Sequence, residues 1–145
     1  VSDSDDISPS IPDGFERHFR RSALTDPWEP LYSRKLEDRL QMGLVLAAPH
    51  CNSRGLVHGG LIATLADNAM GLSCVVALAN QGREVGGGLV TISLHTDYLG
   101  SAKLGEWLEI DPEPVKVGGS VCFARAIIRG DDTPIAMANA TFKIL

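Results

Sequence analysis

His58-Gly59-Gly60-Leu61-Ile62-Ala63-Thr64-Leu65-Ala66-Asp67-Asn68-Ala69-Met70-Gly71-Leu72-Ser73-Cys74-Val75-Val76-Ala77-Leu78-Ala79 is the stretch around which the rest of the chain is organised. It is apolar or small almost throughout. At helical spacing its large residues fall on all sides, which is the pattern of a buried helix rather than a surface one. The exceptions are ordered: Gly60, Thr64, Asp67 and Gly71 recur every three or four residues and share one face, with Asn68 beside them. The helix is therefore expected to carry a stripe of small and polar residues with one carboxylate at its centre. An ionised carboxylate is costly to bury alone, so Asp67 needs a hydrogen-bond network, a subunit interface or a substrate to meet it. A satisfied structural aspartate is the bland alternative.

The start of this helix, at Gly59 or Gly60, follows a loop from His50 to Val57 that contains Asn52, Arg54 and Gly55. Helix N-termini carry unpaired N–H groups and a partial positive charge, so the Gly59 and Gly60 amides are candidates to hold an oxyanion, with room left by the missing side chains. His58 either closes the loop by hydrogen bonding or takes part in such a site. Before the loop, Arg39 to Ala48 alternates like a strand and stops at Pro49. Phe15 to Leu24 is expected as a short helix with Phe15 and Phe19 inward, ended by the prolines at 27 and 30. Residues 1–14, rich in Ser, Asp and Pro, are expected as a mobile arm.

Beyond the helix, Gly86-Gly87-Gly88 lacks the order of a nucleotide loop and is expected as a connector. Four strand-like segments then finish the chain. Val90, Ile92 and Leu94 alternate with Thr91, Ser93, His95 and Asp97, giving one apolar face and a polar face that borders a candidate site. Glu106 to Val117 turns at Gly118-Gly119 and returns through Val121 to Ile127, and Pro134 to Leu145 puts Ala136, Ala138, Ala140, Phe142 and Ile144 on one face. The expected fold is α+β, an antiparallel sheet wrapped around one long helix, with a short N-terminal helix, in a single domain over 1–145.

Composition narrows the functions. A chain of 145 residues with 44% hydrophobic and 21% charged content suits one soluble globular domain. The net charge of -5 and the lack of a basic stripe with interleaved aromatics argue against nucleic acid and against a membrane surface. The polar and glycine positions of the central helix are expected to keep it out of a bilayer, and the N-terminus lacks the order of a signal peptide. Three unpaired cysteines, Cys51, Cys74 and Cys122, suggest free thiols in a reducing compartment, hence the cytoplasm. His50, Cys51 and His58 match no zinc spacing, so neither a metal nor a cofactor is expected.

Asn52-Ser53-Arg54-Gly55-Leu56-Val57-His58-Gly59-Gly60, then Leu65, Asp67 and Gly71, with Val90-Thr91-Ile92 and Tyr98-Leu99-Gly100-Ser101-Ala102-Lys103-Leu104-Gly105, resembles the hotdog-fold acyl-CoA thioesterases of the phenylacetate-pathway type. The likeness covers roughly residues 40–145. It implies Asp67 as nucleophile or general base, Asn52 orienting water or substrate, the Gly59 amide as oxyanion donor, His58 in a supporting role and Thr91 positioning water. It also implies an acyl-CoA substrate bordered by Gly60, Asn68 and Val90, and a homodimer, often doubled to a tetramer. Phe15, Phe19 and Trp28 either cover the core or wall an acyl pocket suited to an aromatic or medium-chain group.

Three readings remain at this point: a thioester hydrolase, a hotdog hydratase or dehydratase, and a non-catalytic acyl-CoA-binding module. The Gly-Gly after His58, where dehydratases carry a proline-containing loop, disfavours the second. The carboxylate of Asp67 disfavours the third, since a purely apolar pocket has no use for it. Helix geometry points to a shared site: Gly59 and Asp67 lie about 12 Å apart at about 1.5 Å per residue, too far for one thioester to touch both.

Overall fold

The computed structural model describes residues 10–145, and its core is built on α1 (Gly59–Asn80). This helix buries Leu61, Ile62, Leu65, Ala66, Ala69, Met70, Cys74 and Leu78 against the sheet. The remaining side, with Thr64, Asp67, Asn68, Gly71 and Leu72, is only partly covered. By length and composition alone α1 could cross a bilayer, so its polar and glycine positions do not bar it as expected. Packing, not composition, marks it as a core helix. Ser73, fully buried, fixes it to the sheet by accepting the Leu40 N–H at 3.0 Å and donating to the Leu40 carbonyl at 3.1 Å.

The sheet has seven antiparallel strands: β1 (Glu16–Arg17), β2 (Tyr32–Lys35), β3 (Leu40–Val45), β4 (Leu89–Tyr98), β5 (Trp107–Val117), β6 (Val121–Gly130) and β7 (Thr133–Ile144). Their spatial order is β1-β2-β3-β5-β6-β7-β4, which leaves β4 on an edge. This is the expected hotdog architecture of one long helix wrapped by an antiparallel sheet. Alternation places Leu108 and Ile110 of β5, Ala124, Ala126 and Ile128 of β6, and Ala136, Ala138, Ala140 and Phe142 of β7 in the core. The small alanines of β6 and β7 let the helix lie close to the sheet. Gly43 in β3 serves a similar purpose for Trp107, since a Cβ there would sit 2.1 Å from the indole. Cys74 and Cys122 are buried, and all three cysteines are free thiols. Burial, helped by the neighbouring Cys122, pushes the Cys74 thiol up to about 12.

Two expectations fail. Phe15 to Leu24 is not a helix: the chain is extended at β1, the His18 N–H donates to the Leu31 carbonyl at 2.8 Å, and a single 3-10 turn follows at Asp26–Trp28. Pairing with β2 satisfies this backbone, so the helical spacing of Phe15 and Phe19 is coincidental. Phe15 packs edge-on against Trp107 at 5.1 Å beneath the Arg34 guanidinium, whereas Phe19 is 66% exposed. Of the arm expected over 1–14, residues 1–9 lie outside the described residues.

The second failure is the simple alternation of β4. Its register with β7 shifts between Thr91 and Ser93, leaving Ile92 without a partner. Thr91 pairs with Phe142, Leu94 with Ala140, Thr96 with Ala138 and Tyr98 with Ala136, so these four β4 residues share the face of buried β7 residues. Val90, expected with Leu94 on one apolar face, instead pairs with exposed Lys143.

Candidate active site

Asp67 and Thr91 meet on the open side of α1. The Thr91 hydroxyl donates to Asp67 Oδ1 at 2.7 Å. No other protein hydrogen bond or ion pair reaches the carboxylate among the described residues. One oxygen is therefore oriented and the other is left to act on a ligand. The register shift in β4 makes this contact possible, because it turns Thr91 toward the helix.

Asp67 and Thr91 open into a cavity of about 410 Å³. From α1 it receives Asn68, Gly71, Leu72 and Val75, so the Asp67, Asn68 and Gly71 part of the expected small-and-polar stripe borders a pocket, while Gly60 and Thr64 do not. Its apolar floor comes from Leu31, Met42 and Phe142. Val85, Gly88 and Leu89 also border it, and its far wall is the segment His18–Thr25, contributing His18, Arg20, Arg21, Ser22 and Thr25. Phe15, Phe19 and Trp28 do not line it, so of the two readings offered for them the acyl wall falls away, and Phe142 with aliphatic side chains lines the cavity instead. Val90 lies on the other face of β4, 48% exposed, and does not line the cavity either.

The second group of candidates gathers at the start of α1. His58 is its N-cap, with Nδ1 accepting the Gly60 N–H at 2.9 Å. That bond occupies the Gly60 amide and leaves Gly59 as the first-turn N–H without a partner among the described residues. Of the two amides expected as oxyanion donors, the Gly60 amide is thus already taken. The Tyr98 hydroxyl donates to the Gly59 carbonyl at 2.6 Å, and Thr64 donates to the Gly60 carbonyl at 2.9 Å. Asn52 stands nearby in the loop, its Oδ1 accepting the N–H groups of Arg54 at 2.9 Å and Leu56 at 3.2 Å. Its amide nitrogen remains as a donor of fixed direction.

Within one chain these groups do not converge on the cavity: Asn52, His58, Gly59 and Gly60 lie at the end of the helix, two turns from Asp67. His50 is used structurally, with Nδ1 accepting the Ala47 N–H at 2.9 Å and Nε2 bonding the Trp28 carbonyl at 2.8 Å. Among the described residues no three His, Cys, Asp or Glu side chains are placed to hold a metal ion. Sequence reasoning missed His18 and Tyr98 as site residues. Tyr98 ends a recognisable strand and was within reach of a pattern argument. His18 carried no signal.

Residues 54–136 match the Thioesterase superfamily model, and the chain belongs to that family. It is 35% identical to a candidate esterase of Pseudomonas aeruginosa over 93% of this chain and 98% of that protein. It is 33% identical to acyl-coenzyme A thioesterase 13 of Mus musculus over 77% of this chain and 69% of that enzyme. Among solved structures, smu.793 from Streptococcus mutans, bound to acetyl-CoA, superposes with a TM-score of 0.72 at 25% identity, over 88% of this chain and 94% of that one. The chain is accordingly a thioester hydrolase by family.

Proposed function

We propose that this protein hydrolyses acyl-CoA thioesters with a medium-chain or aromatic acyl group, at a site completed by a second copy of the chain. The observation that carries the reading is the Asp67 carboxylate, held by Thr91 at one oxygen and facing a cavity with an apolar floor. In the general-base form, Asp67 takes a proton from water, whose oxygen attacks the thioester carbon. The oxyanion is met by the Gly59 N–H with the Asn52 amide beside it, and the C–S bond breaks as the thiolate leaves and is protonated. In the nucleophilic form, the carboxylate attacks the thioester carbon, the C–S bond breaks as the thiolate leaves and is protonated, and water cleaves the resulting anhydride to free acid and carboxylate. One oxyanion donor contributes about 3 to 4 kcal/mol to lowering the barrier.

The second copy is supported by β4. It is a ten-residue edge strand with free peptide groups, and Val90, Ile92 and Leu94 on it are 48%, 59% and 40% exposed. Such an edge is a template for pairing with another chain. Antiparallel self-pairing across a two-fold axis sets the Leu89 end of one β4 beside the Tyr98 end of the other. That brings Asp67 and Thr91 of one copy toward Gly59, which is tied to Tyr98, of its mate. The family resemblance suggests pairing of two dimers as a further step. The three free thiols favour a reducing compartment, the cytoplasm.

A thiol-release assay over a panel of acyl-CoAs tests the activity: octanoyl- or phenylacetyl-CoA is expected to exceed acetyl-CoA in kcat/KM, and a preference for acetyl-CoA refutes the pocket reading. For the shared site, Asp67→Ala and Asn52→Ala are mixed after subunit exchange. Each heterodimer then holds one intact site, so about a quarter of the sites should recover. A mixture as inactive as its parents, with exchange shown by mass spectrometry, means each chain carries its own complete site.

A further inference from the structure

The cavity has a wall that a hydrocarbon acyl group does not use. Of the polar side chains that His18–Thr25 brings to it, some are already satisfied. Ser22 and Thr25 hydrogen-bond each other at 3.0 Å, and Arg21 pairs with Asp26 at 3.2 Å and lies 3.8 Å from Glu29. Two are not. His18 is only 8% exposed, yet among the described residues its enclosed Nδ1 has no hydrogen-bond partner and no group bonds its Nε2. Arg20 has no ion-pair partner among the described residues and lines the same cavity. Burial holds the His18 imidazole below its ordinary range, despite the nearby Glu29 carboxylate. The ring is thus neutral at physiological pH. An enclosed Nδ1 with nothing to donate to favours the tautomer with its proton on Nε2, because an orphaned donor costs more than an under-used acceptor. The wall consequently offers an imidazole N–H beside a guanidinium, both donors, and both complement an anionic oxygen.

Resting on the thioesterase reading above, we propose that the acyl group carries a carboxylate at the end remote from the thioester, bound by Arg20 and His18. The substrate class is then an ω-carboxyacyl thioester. The CoA phosphates are the other source of anionic oxygens, but a histidine buried to this degree suits a group carried into the cavity rather than one held at the solvent-exposed end of the cofactor arm. The stripe from Asp67 to Val75 runs about 12 Å along α1 at 1.5 Å per residue, which suits a chain of several carbons between the two carboxyl groups.

The test compares suberoyl-CoA with octanoyl-CoA, equal in chain length, by steady-state kinetics and by calorimetric titration of the Asp67→Asn variant. Suberoyl-CoA is expected to be preferred by at least about tenfold, the worth of one hydrogen bond to a charged group, mainly through KM. The ratio should collapse toward one in Arg20→Gln and fall in His18→Phe. Equal or inverted preference in the wild type overturns the proposal, and so does an Arg20→Gln variant that weakens free CoA as much as suberoyl-CoA, because Arg20 then serves the phosphates. Turnover of neither substrate sinks the thioesterase reading alone, since the Asp67→Asn titration still reads the carboxylate preference. Binding of neither sinks both.

Discussion

The Tyr98 hydroxyl donates to the Gly59 carbonyl at 2.6 Å, and its ring lies 3.1 Å from the place where a Cβ on Gly59 would sit. The glycine and the tyrosine are therefore chosen together. Gly59→Ala gains helix propensity of up to about 1 kcal/mol and weakens a hydrogen bond of about 1 kcal/mol. Its unfolding midpoint is expected near wild type while kcat falls about tenfold or more, because the amide proposed to meet the oxyanion is displaced. Tyr98→Phe, which keeps the ring, should lose about 1 kcal/mol of stability and less activity.

Asp67→Asn preserves shape and removes the carboxylate proposed as the base. Its kcat should fall by at least about 10²-fold with the fold intact by circular dichroism. Thr91→Ala should cost less, since water can replace part of the hydroxyl's bond. A folded Asp67→Asn enzyme with near wild-type kcat would reassign the carboxylate to structure.

His58→Ala removes the N-cap of α1 and frees the Gly60 amide. A loss of about 1 kcal/mol is expected in urea unfolding, whereas an unchanged midpoint would mean that the cap adds nothing to the folded state.

Ile92→Lys places a charge on the bare edge of β4 without touching the core. Native mass spectrometry should show the variant shifted to monomer, and activity should fall in step with dimer content. A dimeric, active variant would mean that the copies meet elsewhere.

Two groups set the acid side of the stability profile. Burial pushes the Asp111 carboxyl up, but hydrogen bonds from Gln41 and Arg39 and the charges of Arg39 and Arg129 outweigh it and hold the group below its ordinary 3.8. His18 is held below 6.5 by burial. In both cases the unfolded chain binds the proton first on acidification, so the contribution is complete above the unfolded value and lost as pH falls through the folded one. Stability measured by urea should thus decline in two stages, beginning below 6.5 and again below 3.8. His18→Gln should remove the first stage and Asp111→Asn should flatten the second.

What the sequence reveals and what it hides divide on locality. The central helix is legible because its apolar density is high from Leu61 to Leu78, and the alanine face of β7 because its alternation is strict over Ala136, Ala138 and Ala140. Asp67 is legible as the one charge that such a helix has to explain. The segment around Phe15 misleads because its fate depends on a hydrogen bond between His18 and Leu31, thirteen residues away, and on a Trp107 ring supplied by another strand. The chemistry of the cavity's far wall is hidden for the same reason. His18 and Arg20 look like surface residues until the segment is laid across α1.

Thr91 and Tyr98 stand seven positions apart in one strand. In an uninterrupted strand an odd separation sends two side chains to opposite sides, so no regular version of β4 could give one of them to Asp67 and the other to Gly59. The unpaired Ile92 corrects the parity. A deletion that removed it would leave an even separation, which a regular strand also sends to one side, so both contacts should survive, whereas a one-residue insertion before Tyr98 that kept the bulge would send the two side chains to opposite sides. The parity of this strand is thus inherited with the chemistry: relatives that keep both contacts carry either an even separation in a regular strand or an odd one with a bulge.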